Sequence, residues 1–105
     1  MSIEYINDGE TDRKVLGSDG LILVFFTAPW CSACKSFSQT LNEIAEEKEG
    51  KLTIYKMDID ENATFANSYS VRSLPTTLAF KDGLVQDTKI GVATKQDFLK
   101  FINKL

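Results

Sequence analysis

The apolar run Leu21-Ile22-Leu23-Val24-Phe25-Phe26 is unbroken by any polar residue. It predicts a central strand covered on both faces rather than a strand with one wet side. From about Cys31 to Lys48 the apolar positions change period. Cys34, Phe37, Leu41, Ile44 and Ala45 fall on one helical stripe, and Gly50 ends that helix. Leu52 to Ile59 reads as a second strand, and a strand, helix, strand run of this size predicts a right-handed parallel crossover. Upstream, Ser2 to Ile6 predicts a short strand, Asp12 to Leu16 a short helix stopped by Gly17, and Asp19-Gly20 a turn. Downstream, Asp60 is expected to cap a short helix carrying Phe65 and Tyr69. Thr76 to Lys81 and Leu84 to Ile90 predict strands joined by Asp82-Gly83, a two-residue hairpin signal. Thr94 caps a last helix whose Phe98, Leu99, Phe101, Ile102 and Leu105 point inward. There is no repeat, linker or low-complexity segment, and the sum is an α/β fold, a mixed sheet with helices on both faces.

The chain has 105 residues, the size of a single domain (1–105) that buries a core without disulfide staples. The hydrophobic fraction of 43% and charged fraction of 26% are ordinary for a water-soluble chain. A net charge of -3 with no basic run argues against nucleic acid or an anionic membrane surface as the main partner. The longest apolar run is too short to span a bilayer. Met1-Ser2-Ile3-Glu4-Tyr5 lacks the positive flank and apolar stretch of a secretory signal. A cytoplasmic home is therefore expected, where thiols are kept reduced and a cysteine pair is catalytic or metal-binding more often than structural.

Such a pair stands in Ala28-Pro29-Trp30-Cys31-Ser32-Ala33-Cys34-Lys35, directly after the apolar strand. An apolar strand delivering a C-x-x-C to the start of a helix is the arrangement of a dithiol that attacks and releases disulfides. A structural zinc site needs four ligands, and this chain has two cysteines and no histidine. A metal would need carboxylates or a clip between two copies of the chain. The lack of histidine also removes Ser-His and Cys-His hydrolase arrangements, because no imidazole is available as general base.

The stretch Trp30-Cys31-Ser32-Ala33-Cys34-Lys35, the later Leu74-Pro75-Thr76, the hairpin Lys81-Asp82-Gly83 and Gly91 before the last helix together resemble the thioredoxin family, over essentially the whole chain. The resemblance implies a thioredoxin fold, a central mixed sheet of about four to five strands flanked by about four helices. It also implies a dithiol beyond the carboxyl end of a central strand. The activity it implies is reduction of disulfides in client proteins by dithiol exchange. No cofactor would be bound: the redox-active disulfide Cys31-Cys34 would be reduced back to the dithiol by a thioredoxin reductase drawing on NADPH, and a monomer is expected.

Within that frame Cys31, at the helix N-terminus where unpaired amides favour negative charge, is the expected nucleophile. Cys34, one turn on and nearer the core, is the expected resolving thiol. Packing as small buried hydrophobes is the bland alternative; it suits Cys34 but not Cys31, which Pro29-Trp30 should leave at the rim. Trp30 is either a lip for an extended client chain, as the resemblance implies, or a core tryptophan. Sequence alone favours a trans bond before Pro75, whereas the resemblance implies a cis proline facing the dithiol. The backbone edge of Leu74 would then be free to pair with a client strand. Ser73, Ile90 and Gly91 would complete the client surface, with glycine permitting close approach.

Departures from the family pattern fall at three places. Phe25 stands where the family usually buries an aspartate thought to help move the proton of the second cysteine. Lys56, which matches that acid's lysine partner, is left with Asp58 or solvent as its ordinary counterparts; such an amine reaches water along its stem or lowers its pKa. Ser32-Ala33 replaces Gly-Pro, freeing a backbone angle at the helix start and offering a hydroxyl to a sulfur, which would favour the thiolate and a more oxidising couple. Gln39 replaces a proline that kinks this helix in many members, so a straighter helix is expected. Two other functions stay open: a disulfide oxidase or isomerase, and a docking module whose dithiol is dispensable.

Overall fold

Strand β1 spans Glu4–Tyr5, β2 Leu21–Thr27, β3 Leu52–Asp58, β4 Thr76–Lys81 and β5 Leu84–Ile90, in a computed structural model that describes residues 3–105. The strands form one mixed sheet in the order β1-β3-β2-β4-β5. β3 runs parallel to β1 and β2, β4 antiparallel to β2, and β5 antiparallel to β4. The unbroken apolar run is thus the middle strand, and successive side chains enter two different cores. Leu23 and Phe25 join Cys31, Cys34, Phe37, Leu41, Ile44, Phe98 and Phe101 on one face. Ile22, Val24 and Phe26 join Val15, Met57, Phe65, Leu78 and Phe80 on the other. Because both faces are covered, no position on the strand needs a polar residue. Each fully buried aromatic or aliphatic side chain contributes roughly 1.5 to 3 kcal/mol.

Helix α1 (Ser32–Glu47) and helix α3 (Lys95–Asn103) supply the first core, with Cys34, Phe37, Leu41 and Ile44 buried along α1. Ala45, the fifth position of the expected stripe, is only partly buried. Thr94 caps α3 as expected, its hydroxyl accepting the Asp97 amide at 3.1 Å. α1 runs unbroken past Gln39. The second core is closed by α2 (Ala63–Ser68) and by a wide π-type turn over Asp12–Leu16, in which the Gly17 amide returns to the Asp12 carbonyl at 2.8 Å. No helix among the described residues is long and apolar enough to cross a membrane.

Two expected boundaries differ. The first strand is Glu4–Tyr5 rather than Ser2 to Ile6, and Ser2 lies outside the described residues. The cap of α2 is not Asp60. Asn62 occupies the cap position, and the open amides of Thr64 and Phe65 are taken by the distant Asp8 carboxylate at 3.1 and 2.9 Å. Asn62 answers by accepting the Asp8 amide at 2.9 Å. A carboxylate from another part of the chain serves the same helix-end amides that a local cap would. The hairpin forms at Asp82-Gly83 with φ of 52° and 84°, the paired positive values of a type I′ turn. A side chain at Gly83 would also collide with the Leu16 carbonyl oxygen.

Candidate functional site

At the carboxyl end of β2 the chain turns through Ala28-Pro29-Trp30, and the Cys31 amide closes the turn on the Ala28 carbonyl at 3.1 Å. Cys31 is the N-cap of α1: its backbone is extended (φ -88°, ψ 99°), and its carbonyl already accepts the Lys35 amide at 3.2 Å. A cap position usually carries an oxygen that takes one open amide of the first turn. Here Sγ of Cys31 takes it, accepting the Cys34 amide at 3.2 Å. Position 31 therefore places its sulfur where amides and the helix dipole favour negative charge, an effect typically worth about 0.3 to 1 kcal/mol. Cys31 and Cys34 are joined as a disulfide with Cα atoms 5.3 Å apart.

Cys34 is the deeper of the two at 2% exposed, but Cys31 is itself only 7% exposed. The rim position expected for Cys31 is not found: with its sulfur paired to Cys34 and accepting the Cys34 amide, Cys31 belongs to the same buried cluster as Cys34. The open feature is Trp30, 67% exposed, which removes the core-tryptophan alternative. Its indole Nε1 donates to Asp60 at 3.0 and 3.3 Å to the two carboxylate oxygens. The aspartate expected to cap α2 instead holds the ring beside the dithiol.

The Leu74-Pro75 bond is cis. Leu74 packs against the cluster that contains both sulfurs. Around it, the Thr76 hydroxyl donates to the Ser73 carbonyl at 2.6 Å, and the Gly91 amide donates to the Pro75 carbonyl at 2.8 Å. That bond draws the end of β5 to the segment before β4; Ser73 and Ile90 are exposed and Leu74 and Gly91 partly so, whereas the Pro75 side chain, expected at the client surface, is fully buried. Ile90 is 68% exposed. Gly91 has φ of 87° and open space where a side chain would stand. Val92 and Ala93 continue this surface along α1, where Ala33, Ser36 and Thr40 line a groove of about 250 Å³. Ser32 and Ala33 are exposed; the donor to the Cys31 sulfur is the Cys34 backbone rather than the Ser32 hydroxyl.

Cys34 also lines a second cavity, of about 250 Å³, shared among others with Tyr5, Phe25, Ser38, Lys56 and Asp58. Phe25 and Lys56 are cross-strand neighbours on β2 and β3. Phe25 is buried and stacks on Phe37 with ring centres 5.9 Å apart, so the expected acid's place is filled by packed aromatic carbon. Lys56 is 8% exposed. Its amine donates to Ser38 Oγ at 2.5 Å and lies 5.8 Å from the centre of the Tyr5 ring. Its partner is thus Ser38 rather than Asp58; the Asp58 carboxylate accepts the Asp60 amide at 2.9 Å. Burial lowers the pKa of Lys56 from the ordinary lysine range.

Sequence reasoning missed Ser38 and the Trp30–Asp60 bond. Ser38 lies one helical turn beyond Cys34 on the same face, so its spacing was a usable signal; the Asp60 contact spans thirty residues and had none. Among the described residues no group of three or more His, Cys, Asp or Glu is placed to hold a metal ion.

The thioredoxin family model matches residues 2–104. The chain is 42% identical over 99 residues to a thioredoxin of Rickettsia felis, covering 94% of each protein. It is 39% identical over 98 residues to a thioredoxin of Pseudomonas aeruginosa, covering 93% of this chain and 91% of the relative. It is also 37% identical to an M-type chloroplastic thioredoxin of Pisum sativum, over 97% of this chain and 59% of that protein. With a paired Cys31-Cys34 at the end of the central strand and this likeness running almost end to end, the chain belongs to the thioredoxin family of thiol-disulfide oxidoreductases.

Proposed function

We propose that Cys31 is the attacking sulfur and Cys34 the resolving one, and that the net direction is reduction of disulfides in client proteins. The observation that carries this is the asymmetry of the pair. Cys31 occupies the cap of α1, accepts a backbone amide and lies nearer the surface. Cys34 is inside the helix and buried. In the reduced form the Cys31 thiolate attacks one client sulfur, and the other client sulfur leaves with the electron pair. Cys34 then attacks Cys31 in the mixed disulfide, which releases the reduced client and restores the disulfide.

Trp30, Ser73, Leu74, Ile90 and Gly91 form the client surface in this reading, with the buried Pro75 shaping the backbone beneath it. The continuity of these segments supports it, as does the Leu74 backbone, whose amide and carbonyl take no backbone hydrogen bond among the described residues. An extended client segment would pair there by strand addition. Phe25, Ser32, Ala33 and Lys56 tune the dithiol rather than touch the client. The protein works as a monomer of one domain. A thioredoxin reductase using NADPH returns it to the dithiol state, and the reducing direction fits the cytoplasm, where thiols are held reduced.

The test is a coupled assay with NADPH, a thioredoxin reductase and a disulfide-bearing protein. NADPH consumption that depends on this chain and on both cysteines is expected. Wild-type protein that leaves the client oxidised, or a Cys31→Ser variant that retains full effect on a bound partner, overturns the reading in favour of an oxidase or a docking module.

A further inference from the structure

Beside Gly91 the molecule keeps an exposed apolar edge. Four of the six exposed large apolar side chains among the described residues, Leu84, Val85, Ile90 and Val92, lie on β5 or two residues beyond it. β5 is the last strand of the sheet and pairs with β4 alone, so its other edge carries main-chain groups that no strand takes. The register identifies them. The Gly91 amide bonds to the Pro75 carbonyl at 2.8 Å, and in an antiparallel ladder bonded and unbonded pairs alternate. Lys89 opposite Thr77 and Asp87 opposite Ala79 therefore turn their main chain inward, whereas Thr88 opposite Leu78 and Ile90 opposite Thr76 turn theirs outward. The register shift at Ala79/Phe80 ends this regular stretch, which leaves Asp87 to Ile90 as the open edge next to Gly91.

The outward amide of Thr88 is covered by the Asp87 carboxylate at 2.7 Å. That carboxylate is exposed and forms no ion pair among the described residues. Such a cover resists chance pairing, and it is exchangeable: the carbonyl of an arriving strand replaces the carboxylate on the amide, and the freed carboxylate meets a cation on that strand. Val85 and Ile90, opposite Phe80 and Thr76, offer apolar contact to alternate side chains of the arrival.

We infer that the outer edge of β5 from Asp87 to Ile90 takes an extended arm of the client as an added strand, and selects arms that carry lysine or arginine among apolar residues. This rests on the reading of Ser73, Leu74, Ile90 and Gly91 as the client surface, since Ile90 and Gly91 belong to both. The client's cysteine segment meets the Leu74 backbone, and its arm continues along β5, where main-chain bonds supply affinity and Asp87 supplies the charge preference. A disulfide flanked by extended chain is then reduced faster than the same disulfide in a compact loop.

The experiment measures the second-order rate at which the reduced full chain reduces three synthetic peptides. All share one disulfide loop: one is bare, one has arms of alternating valine and lysine at both ends, and one has valine and glutamate arms. The lysine-armed peptide should react about tenfold faster than the bare loop, the order expected of one or two added hydrogen bonds. The glutamate-armed peptide should be roughly threefold slower than the lysine-armed one. Thr88→Pro, which removes an outward amide and leaves the inward bonds to β4, should cut the armed-to-bare ratio severalfold, and Asp87→Lys should reverse the order of the two armed peptides. Trapping the lysine-armed peptide on Cys31 of the Cys34→Ser protein should slow hydrogen exchange of the Thr88 and Ile90 amides. Equal rates on armed and bare peptides overturn the inference, and so does an unchanged order in a folded Asp87→Lys protein. Protection of Thr88 and Ile90 without peptide, together with a dimer in sedimentation, overturns it in favour of a second copy of the chain on this edge. Wild-type protein that reduces none of the three peptides overturns the reductase reading as well, so the two failures are distinguishable.

Discussion

The two sulfurs are served by different kinds of structure. Around Cys31 the polar groups are backbone: the Ala28 carbonyl, the Cys34 amide and the first turn of α1. Beside Cys34 they are side chains, Lys56 bonded to Ser38 in a cavity that Phe25 also lines. A backbone environment survives substitution of the residues that form it, so the altered Ser32-Ala33 pair leaves the cap of α1 in place. A side-chain environment changes with a single residue. The departure from the family pattern with most chemical consequence is accordingly Phe25, on the Cys34 side.

The sharpest break between the two sides is kinetic. Cys31→Ser should reduce client turnover by at least about 10⁴-fold with nothing held covalently, because no thiolate remains at the cap. Cys34→Ser should also stop turnover, but with client trapped on Cys31, visible by mass spectrometry as a reducible adduct. Trapping in the Cys31→Ser protein instead would exchange the roles of the two sulfurs.

Stability should separate the sides next. Phe25→Ala empties a fully buried aromatic position between α1 and β3, and urea unfolding should show a loss of about 3 to 5 kcal/mol. Ala33→Gly, on the exposed first turn of α1, should cost only about 0.5 to 1 kcal/mol, the helix penalty of glycine. Equal losses would mean that the front of the site is packed as tightly as its back.

A smaller effect belongs to the side chain that holds Trp30 at the front. Asp60→Ala removes the acceptor of the Trp30 indole, and a loss of about 0.5 to 1.5 kcal/mol is expected. Trp30 is the only tryptophan, so its fluorescence reports the release directly; an unchanged emission spectrum would show that the ring is held by other contacts.

The subtlest test concerns pH. Burial lowers the pKa of Lys56 in the fold, so between that lowered value and the ordinary lysine pKa of 10.5 the unfolded chain binds more protons. The penalty for burying the charge is fully present below this window and disappears as pH rises through it. Lys56→Met should therefore gain most over wild type at neutral pH, and the gain should shrink as pH approaches 10.5. A difference that is flat with pH would show that the amine is equally solvated in both states.

Much of the fold was legible because it is written locally. The unbroken run before Thr27, the stripe from Cys34 to Ile44, the Asp82-Gly83 turn and the Thr94 cap each depend on residues a few positions apart. What escaped was non-local. Asp60 has the chemistry of a helix cap, and nothing near it reveals that Trp30 claims its carboxylate while Asp8 serves α2. Lys56 was recognisable as an amine without its acid, yet its anchor on Ser38 needs the packing of α1 over β3. The burial of Cys31 within the core cluster depends on packing that spacing alone does not encode.

The clasp between Asp8 and the start of α2 also bears on the order in which the chain is assembled. β1 lies against β3, and Asp8 bonds to Asn62, Thr64 and Phe65. On the ribosome, the pairing of β1 and the Asp8 clasp therefore wait for residues made about 54 positions later, and the sheet gains this edge only after its middle exists.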